Sequence, residues 1–207
     1  WCISVAAHKK RTAILVSKED HALLELLWRW SRGQLPIDVA MVISNHRTTE
    51  KAVEHFGVAF HHVSVDRENK AASERAILDL LEGQVDLVVL ARYMQILSQD
   101  FVSHYPQKII NIHHSFLPAF IGADPYRRAQ ERGVKLIGAT AHYVTEDLDE
   151  GPIIEQDVAR VSHRHGVSEL RELGKNVERN VLARAVHWHA EDRIILHGDR
   201  TVVFAEW

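Results

Sequence analysis

The stretch Val85-Asp86-Leu87-Val88-Val89-Leu90 decides the fold of this chain. It is short and almost continuously apolar, which is typical of a strand that is covered on both faces in a parallel sheet. Similar apolar runs precede it and alternate with segments of helical periodicity. We predict strands at 12–16, 37–44, 58–65 and 85–90 and helices at 22–30, 48–56 and 70–81. This alternation predicts an α/β fold with a doubly wound, mostly parallel sheet and right-handed connections.

The pattern changes after Leu90, where a loop at 92–97 follows the strand. The remaining predicted elements are helices at 98–105, 126–132 and 167–190, a strand at 108–112, a strand pair at 136–144 and 153–161, and a C-terminal antiparallel hairpin at 193–196 and 201–204. Ligands of open α/β sheets bind beyond the carboxyl ends of the strands. We therefore expect a site that is formed by the segment after Leu90 and by the segment that begins at Asn111.

The bulk composition is that of one ordinary globular domain. The chain has 207 residues, of which 46% are hydrophobic and 26% are charged. The formal net charge of −3 argues against a nucleic-acid partner. Cys2 is the single cysteine, so neither an internal disulfide nor a cysteine-based zinc site can form. No apolar run approaches the roughly 18 residues of a membrane span. We therefore expect a cytoplasmic protein with no membrane partner.

Three polar residues form a candidate catalytic group. Asn111 and His113 follow the apolar run Ile109-Ile110, and side chains at i and i+2 of a strand share one face. Asp149 lies in an acidic loop between two predicted strands. An amide, an imidazole and a carboxylate suit chemistry at a carbonyl carbon, because they polarise the oxygen, move a proton and orient the imidazole. By spacing alone, a polar pair that ends a strand and bonds to the backbone explains Asn111 and His113 equally well.

The segments 111–118 and 145–152, taken together and in this order, resemble the catalytic motifs of the folate-dependent formyltransferase family. Four further segments are similar to its hydrolytic branch: 14–21, 91–98, 120–123 and 138–144. The resemblance implies a formyltransferase-type Rossmann-like fold with Asn111, His113 and Asp149 as catalytic residues. It also implies hydrolysis of 10-formyltetrahydrofolate to formate and tetrahydrofolate, a step of one-carbon and purine metabolism.

The same resemblance implies a folate pocket between the loop after the fourth strand and the Asp149 loop. Its implied folate-binding residues are Arg92, Tyr93, Met94, Gln95, Ile96, Leu97, Val144, Glu146 and Asp147. From composition alone, Met94, Ile96 and Leu97 would be ordinary core residues. No cofactor is implied, because the folate is the substrate. No metal is expected either, since the histidine pairs at 61–62, 163–165 and 187–189 lack a completing cluster of carboxylates or cysteines.

Two expectations concern the organisation of the whole protein. Members of the hydrolytic branch usually begin with a small regulatory domain of the ACT type. Residues 1–10 are interpreted as the remnant of a linker from such a missing domain, and 11–207 as the catalytic domain. A homo-oligomer is expected. The segment Asp124-Pro125-Tyr126-Arg127-Arg128-Ala129 departs from the usual Arg-Pro-Tyr-His-Gln-Ala, which leaves the roles of Asp124, Arg127 and Arg128 open.

Other functions remain as alternatives. Transformylases of this family, which act on a ribonucleotide amine, carry a glycine-rich phosphate loop after the first strand. This chain has Ser17-Lys18-Glu19-Asp20-His21 there, and the two carboxylates would repel a phosphate. His114 and His142 are further candidates for the site, with His114 the weaker one. Folate binding without turnover is the remaining alternative, and the intact trio of Asn111, His113 and Asp149 argues against it.

Overall fold

The computed structural model describes residues 8–66, 68–118 and 125–205. Its strands are β1 Lys10–Val16, β2 Ile37–Ser44, β3 Ala59–His62, β4 Leu87–Leu90, β5 Ile109–His113, β6 Leu136–Tyr143, β7 Ile153–Arg160, β8 Ile194–His197 and β9 Arg200–Val203. Its helices are α1 His21–Ser31, α2 Glu50–Glu54, α3 Lys70–Leu81, α4 Gln99–His104, α5 Pro125–Glu131 and α6 Val167–Ala190.

The main sheet has the strand order β3-β2-β1-β4-β5-β6-β7. Strands β1 to β5 pair in parallel, whereas β6 pairs antiparallel with β5 and with β7. The hairpin β8–β9 forms a separate antiparallel sheet. The predicted α/β, doubly wound, mostly parallel sheet with a C-terminal hairpin is confirmed.

The continuous apolar strands lie in the middle of the sheet. All four residues of β4 are buried, as are the last five of β1. One face is covered by α1 and α6, through side chains such as Leu26 and Val181, and the other by α3 and α4, through Ile77 and Phe101. Each fully buried side chain of this size contributes about 1.5–3 kcal/mol. Burial on both faces therefore explains why β1 and β4 lack the polar alternation of a half-exposed strand.

The predicted elements at 48–56 and 58–65 are shorter in the structure. The helix is only Glu50–Glu54 and the strand only Ala59–His62. The strand β3 lies at the edge of the sheet, pairs with β2 alone, and none of its four residues is buried. An edge strand gains hydrogen bonds on one side only, so its pairing ends sooner than that of a central strand.

The order of the strands places the site. From β1 the chain runs outward to β2 and β3, then returns through α3 to β4 on the opposite side of β1. Helix α1, which follows β1, and helix α4, which follows β4, pack on opposite faces of the sheet and leave a crevice at the carboxyl ends of these strands. Strand β5 lies directly beside β4, with Asn111 opposite Leu90. The polar end of β5 thus faces this crevice.

Two histidines predict acid sensitivity of the fold. Burial lowers the pKa of His189, which lies on α6 against the Tyr143 hydroxyl, to about 4. Burial and the nearby charge of Arg92 lower the pKa of His114 to about 4. On acidification, the same histidines in the unfolded chain take up their protons near pH 6.5, which is about 2–3 pH units above their pKa in the folded state. The free energy of unfolding should therefore fall between pH 6.5 and 4, by up to about 1.4 kcal/mol per pH unit for each histidine.

Urea unfolding at pH 7, 6 and 5 measures this loss of stability. His189→Gln removes one of the two groups and should lose less stability on acidification than the wild type. His163→Gln, at an exposed position, is the matched control and should follow the wild type. An equal loss in the wild type and His189→Gln would contradict the assignment of the acid sensitivity to His189.

Candidate active site

The three residues singled out by their motifs meet beyond the carboxyl ends of β4 and β5. Asn111 and His113 lie on β5, and Asp149 comes from the loop at 144–152 between β6 and β7. The Nδ1 atom of His113 is 3.2 Å from Oδ1 of Asp149. The antiparallel pairing of β6 with β5 also places His142 directly opposite Asn111. The structure therefore brings the predicted trio together and adds His142 as a fourth polar group.

His142 fixes the orientation of the Asn111 amide. Its Nδ1 is 2.9 Å from the carbonyl oxygen of Tyr143, and because a carbonyl only accepts, this nitrogen carries the proton. The other ring nitrogen, Nε2, is then an acceptor and lies 3.2 Å from Nδ2 of Asn111. Burial lowers the pKa of His142, which favours this neutral ring. One N–H of the Asn111 amide is thus held by His142, which leaves the second N–H available to a ligand.

The Asp149 carboxylate is held as an acceptor for His113. The hydrogen bond from His113 lowers the pKa of Asp149, although partial burial opposes this. Both side chains are largely enclosed, with 10% of His113 and 15% of Asp149 exposed. The contact of Nδ1 with the carboxylate favours the tautomer that carries its proton on Nδ1, with Nε2 directed elsewhere. This arrangement can orient a ring that exchanges a proton with a substrate.

The Asp149 loop is held in a constrained backbone conformation. Asp149 has a φ of 59°, in the left-handed region that few residues other than glycine adopt. At Gly151, a Cβ atom would lie 1.8 Å from the carbonyl oxygen of Tyr143, so only glycine allows the loop to fold back this closely. Such outliers persist where the surrounding structure enforces them, and they cluster at functional sites.

A cavity of about 480 Å³ opens from these polar groups. It is called the folate cavity below, after the ligand that the sequence resemblance implies. It is lined by the trio and by all nine predicted folate-binding residues, and also by Leu90, Ile112, His114, His142, Thr145 and Leu148. Its volume is within the range of small-molecule sites. The two walls predicted from the sequence are therefore brought to one cavity. Leu148 lies within the predicted wall segment 146–149, whereas Thr145 was missed.

Exposed apolar side chains surround the mouth of the folate cavity. The exposed fractions are 57% for Met94, 60% for Ile96 and 59% for Leu148. The alternative of ordinary core is thus wrong for Met94 and Ile96, whereas Leu97 packs partly against the hydrophobic core. Clustered exposed apolar surface beside a cavity is typical of a ligand contact. Leu148 is recognisable in the sequence as the apolar residue of the acidic loop 146–150.

The segment after β1 supports the loop after β4. The hydroxyl of Ser17 accepts a hydrogen bond from the backbone N–H of Met94 at 3.0 Å. The backbone N–H of Ser17 donates to the carbonyl oxygen of Arg92 at 3.2 Å. The position at which transformylases have a phosphate loop is therefore occupied here by a residue that fixes one wall of the folate cavity.

Glu178 of α6 forms a buried polar cluster that the sequence did not reveal. Its carboxylate accepts hydrogen bonds from Nε2 of His21 at 2.8 Å and from the Tyr126 hydroxyl at 3.0 Å. Nε of Arg92 lies 3.5 Å away. Burial opposes ionisation, but the His21 hydrogen bond and the Arg92 charge prevail and lower the pKa of Glu178.

By sequence pattern alone, the mixed charges at 171–184 indicate a solvated or subunit-facing surface. That interpretation is wrong for Glu178, of which 2% is exposed. Apolar neighbours on the same helix face, Val177, Val181 and Leu182, were the available signal. Gly174 is part of this arrangement, because a Cβ there would lie 2.0 Å from the Tyr126 hydroxyl.

Part of the sequence prediction falls on residues that the structure does not describe. Asp124 and the segment 120–123 belong to the undescribed residues 119–124. Over 8–66, 68–118 and 125–205, no three His, Cys, Asp or Glu side chains are grouped as metal ligands. None of the helices in that same part of the chain is long and apolar enough to cross a membrane.

Comparisons with known proteins agree with this geometry. A family model described as formyl transferase matches residues 10–186. The formyltetrahydrofolate deformylase of Bacillus subtilis (strain 168) is 58% identical over 205 residues, which are 99% of this chain and 68% of that protein. The chain thus spans about two thirds of the length of that relative.

Solved structures show the same family. The crystal structure of formyltetrahydrofolate deformylase from Burkholderia mallei ATCC 23344 has a TM-score of 0.95 and 48% identity, over 99% of this chain and 73% of that one. Glycinamide ribonucleotide transformylase 1 from Symbiobacterium toebii has a TM-score of 0.89 and 33% identity, over 96% of this chain and 95% of that one. The predicted formyltransferase-type fold is confirmed. The chain therefore belongs to the formyl transferase family and, within it, groups with the formyltetrahydrofolate deformylases.

Proposed function

We propose that this chain hydrolyses 10-formyltetrahydrofolate to formate and tetrahydrofolate. The observation that carries the proposal is the contact of His113 with Asp149 beside Asn111, where the three side chains line the folate cavity. An amide donor, an oriented imidazole and a carboxylate at one point are the groups that acyl transfer to water requires. The 58% identity to a formyltetrahydrofolate deformylase supports the same reaction.

In the proposed mechanism, water attacks the formyl carbon and forms the new C–O bond. The free N–H of the Asn111 amide donates to the developing oxyanion, while Nε2 of His113, which carries no proton in this tautomer, takes a proton from the attacking water. The imidazolium formed in this way stabilises the oxyanion and passes the proton on to the leaving nitrogen. Asp149 keeps the imidazole in its tautomer and assists in activating the water. The C–N bond then breaks, the leaving amine nitrogen of the folate takes a proton, and formate is released.

The folate binds, in this proposal, between the loop at 92–97 and the loop at 144–149. Met94, Ile96 and Leu148 contact the ring system through their exposed apolar surface. The N–H of Met94 and the carbonyl of Arg92 are already bonded to Ser17, so polar contacts to the pterin fall to the other backbone groups of these loops.

Water rather than an amine is the proposed acceptor, for a reason visible in the structure. His21, which could have compensated the charges of Glu19 and Asp20, donates to Glu178. Ser17 is bonded to the loop after β4. The segment 17–21 thus supplies internal contacts in place of a phosphate-binding loop, which disfavours a ribonucleotide acceptor.

Formate release from 10-formyltetrahydrofolate, measured with and without glycinamide ribonucleotide, tests the proposed reaction. Release at the same rate in both conditions is expected. Turnover only in the presence of the ribonucleotide would make the chain a transformylase and would refute the proposal. Folate binding without any turnover would favour a binding protein.

Asn111→Ala is expected to lower the turnover number by on the order of 10²–10³, the usual loss for one oxyanion donor. Tetrahydrofolate affinity should change little, because the apolar walls of the cavity remain. Asn180→Ala, an exposed asparagine on α6, is the control and should keep the wild-type rate. Wild-type turnover in Asn111→Ala would remove this residue from the mechanism.

The assembly and location of the protein stay predictions. A cytoplasmic homo-oligomer is expected from the sequence. Light scattering coupled to size-exclusion chromatography measures the oligomeric state, and a single monomeric species would contradict that part.

A further inference from the structure

A second cavity reaches the catalytic residues from a different direction. This polar cavity has a volume of about 160 Å³ and lies between α1, α6 and the loop after β4. Arg92 and His114 line both the polar cavity and the folate cavity, so the two meet at these side chains. The His114 and His113 rings are 5.2 Å apart, measured between their centroids. The polar cavity therefore adjoins the position at which the proposed reaction occurs.

The Arg92 guanidinium is enclosed, and its donors are not fully used. Only 14% of the side chain is exposed. Its Nε has no hydrogen-bond partner among the described residues, and the nearest carboxylate oxygen, Oε2 of Glu178, is an ion-pair contact at 3.5 Å. Glu178 already accepts from His21 and Tyr126. Because Nε is fully enclosed beside Glu178, a ligand in the polar cavity meets the terminal nitrogens of the guanidinium.

The backbone conformation of Arg92 is a second observation that suggests a functional role for this residue. Its φ of 64° lies in the left-handed region, which is unfavourable for a side chain of this size. A residue kept in that conformation beside an active site is a candidate for function. Glycine would suit the backbone better, so the guanidinium itself is the reason to have arginine there.

Charge and size determine what the polar cavity can hold. Cationic Arg92, Arg171 and Lys175 line the polar cavity together with the carboxylates of Glu19 and Glu178. Lys175 is paired with Glu19 at 3.4 Å and with Glu172 at 3.0 Å, and Glu178 accepts from His21, so the positive charge offered to a ligand comes mainly from Arg92 and Arg171. Arg171 is exposed and Lys175 is partly exposed, so positive charge extends from the enclosed Arg92 to solvent. A cavity of about 160 Å³ admits only a small molecule and its waters. A planar carboxylate matches the fork of a guanidinium.

We propose that Arg92 and the polar cavity bind the formate product and release it to solvent while tetrahydrofolate still occupies the folate cavity. This inference rests on the proposed hydrolysis. Once the C–N bond has broken, the folate blocks the larger opening, and the smaller anion leaves past His114 and Arg92 toward Lys175 and Arg171.

Titration with ¹³C-formate, followed by NMR on protein saturated with tetrahydrofolate at constant chloride, tests the site without needing turnover. Arg92→Gly removes the guanidinium and suits the left-handed backbone, so the variant should fold. Gln107→Gly is the matched control, because Gln107 has a φ of 59° at an exposed position outside both cavities. The formate dissociation constant should rise by about 10–100-fold in Arg92→Gly, as expected for lost charge-assisted hydrogen bonds.

Tetrahydrofolate affinity is measured for the same variant, and formate affinity is compared at a tetrahydrofolate concentration that saturates each protein. Equal formate affinity in the wild type and Arg92→Gly, no saturable formate binding, or displacement of formate by tetrahydrofolate would each overturn the inference. A different outcome is possible, in which the protein binds formate through Arg92 but releases no formate from 10-formyltetrahydrofolate. That outcome would refute the proposed reaction but not the anion site.

Discussion

Asp149→Asn is expected to lower the turnover number by about 10⁴, the loss seen when an oriented catalytic imidazole loses its carboxylate. Asn is nearly isosteric and tolerates a positive φ, so the loop that holds residue 149 should keep its shape. The amide offers His113 an N–H as readily as an oxygen, so the imidazole is no longer restricted to one tautomer. The folate cavity keeps its walls, and tetrahydrofolate should bind with near wild-type affinity.

Single-turnover formate release and tetrahydrofolate binding by calorimetry separate these two effects for Asp149→Asn. Asp79→Asn, which changes a carboxylate of an exposed ion pair with Arg75, is the matched control and should be as active as the wild type. Undiminished hydrolysis by Asp149→Asn would refute the role of the carboxylate. A parallel loss of rate and folate affinity would show that Asp149 binds the substrate rather than orienting the imidazole.

The same contact predicts the acid limb of the rate profile. The hydrogen bond from His113 lowers the pKa of Asp149, so the carboxylate is ionised at neutral pH. Because the pKa of Asp149 is lower in the folded state than the unfolded value of about 3.9, the ionised carboxylate stabilises the fold above that pH. This stabilisation is lost as the pH falls through the folded-state pKa. Loss of the Asp149 charge should therefore limit the rate only in strong acid.

His113→Ala is expected to lower turnover by on the order of 10²–10⁴, the range that one general acid–base group supplies. Nδ1 of His113 is 3.2 Å from Oδ1 of Asp149, closer than Nε2 of His142 at 3.8 Å, so removal of the ring also takes away the nearest donor of the carboxylate. Free imidazole should restore part of the rate, because the alanine leaves a ring-sized space that opens to the folate cavity.

Formate release with and without added imidazole measures this loss and recovery. His163→Ala, at an exposed position, serves as the control and should keep the wild-type rate with no response to imidazole. A wild-type rate in His113→Ala would exclude the imidazole from catalysis. The double variant His113→Ala with Asp149→Asn should be scarcely slower than the slower single variant, since residues that act as one unit are not additive.

Long periodic elements were predictable from the sequence, and short edge elements were not. The predicted bounds of the strand at 37–44 and of the helices at 70–81 and 167–190 agree with the structure residue for residue. Each is long enough for several buried positions to define its period. The strand at 59–62 was predicted too long because at the edge of a sheet the pairing, rather than the apolar pattern, sets the end. The helix at 50–54 and the central strand β4, predicted at 85–90 and observed at 87–90, were also predicted too long.

The sequence by itself determined the fold class and the motifs that bear Asn111, His113 and Asp149, because apolar periodicity and residue order are local properties. Only the tertiary structure decided which polar groups touch. The antiparallel pairing of β5 with β6 sets His142 against Asn111, and the packing of α6 on the sheet buries Glu178 beside Arg92. Such contacts join residues that are 31 and 86 positions apart, and their chemistry depends on burial and on distances of a few ångströms that residue order does not encode.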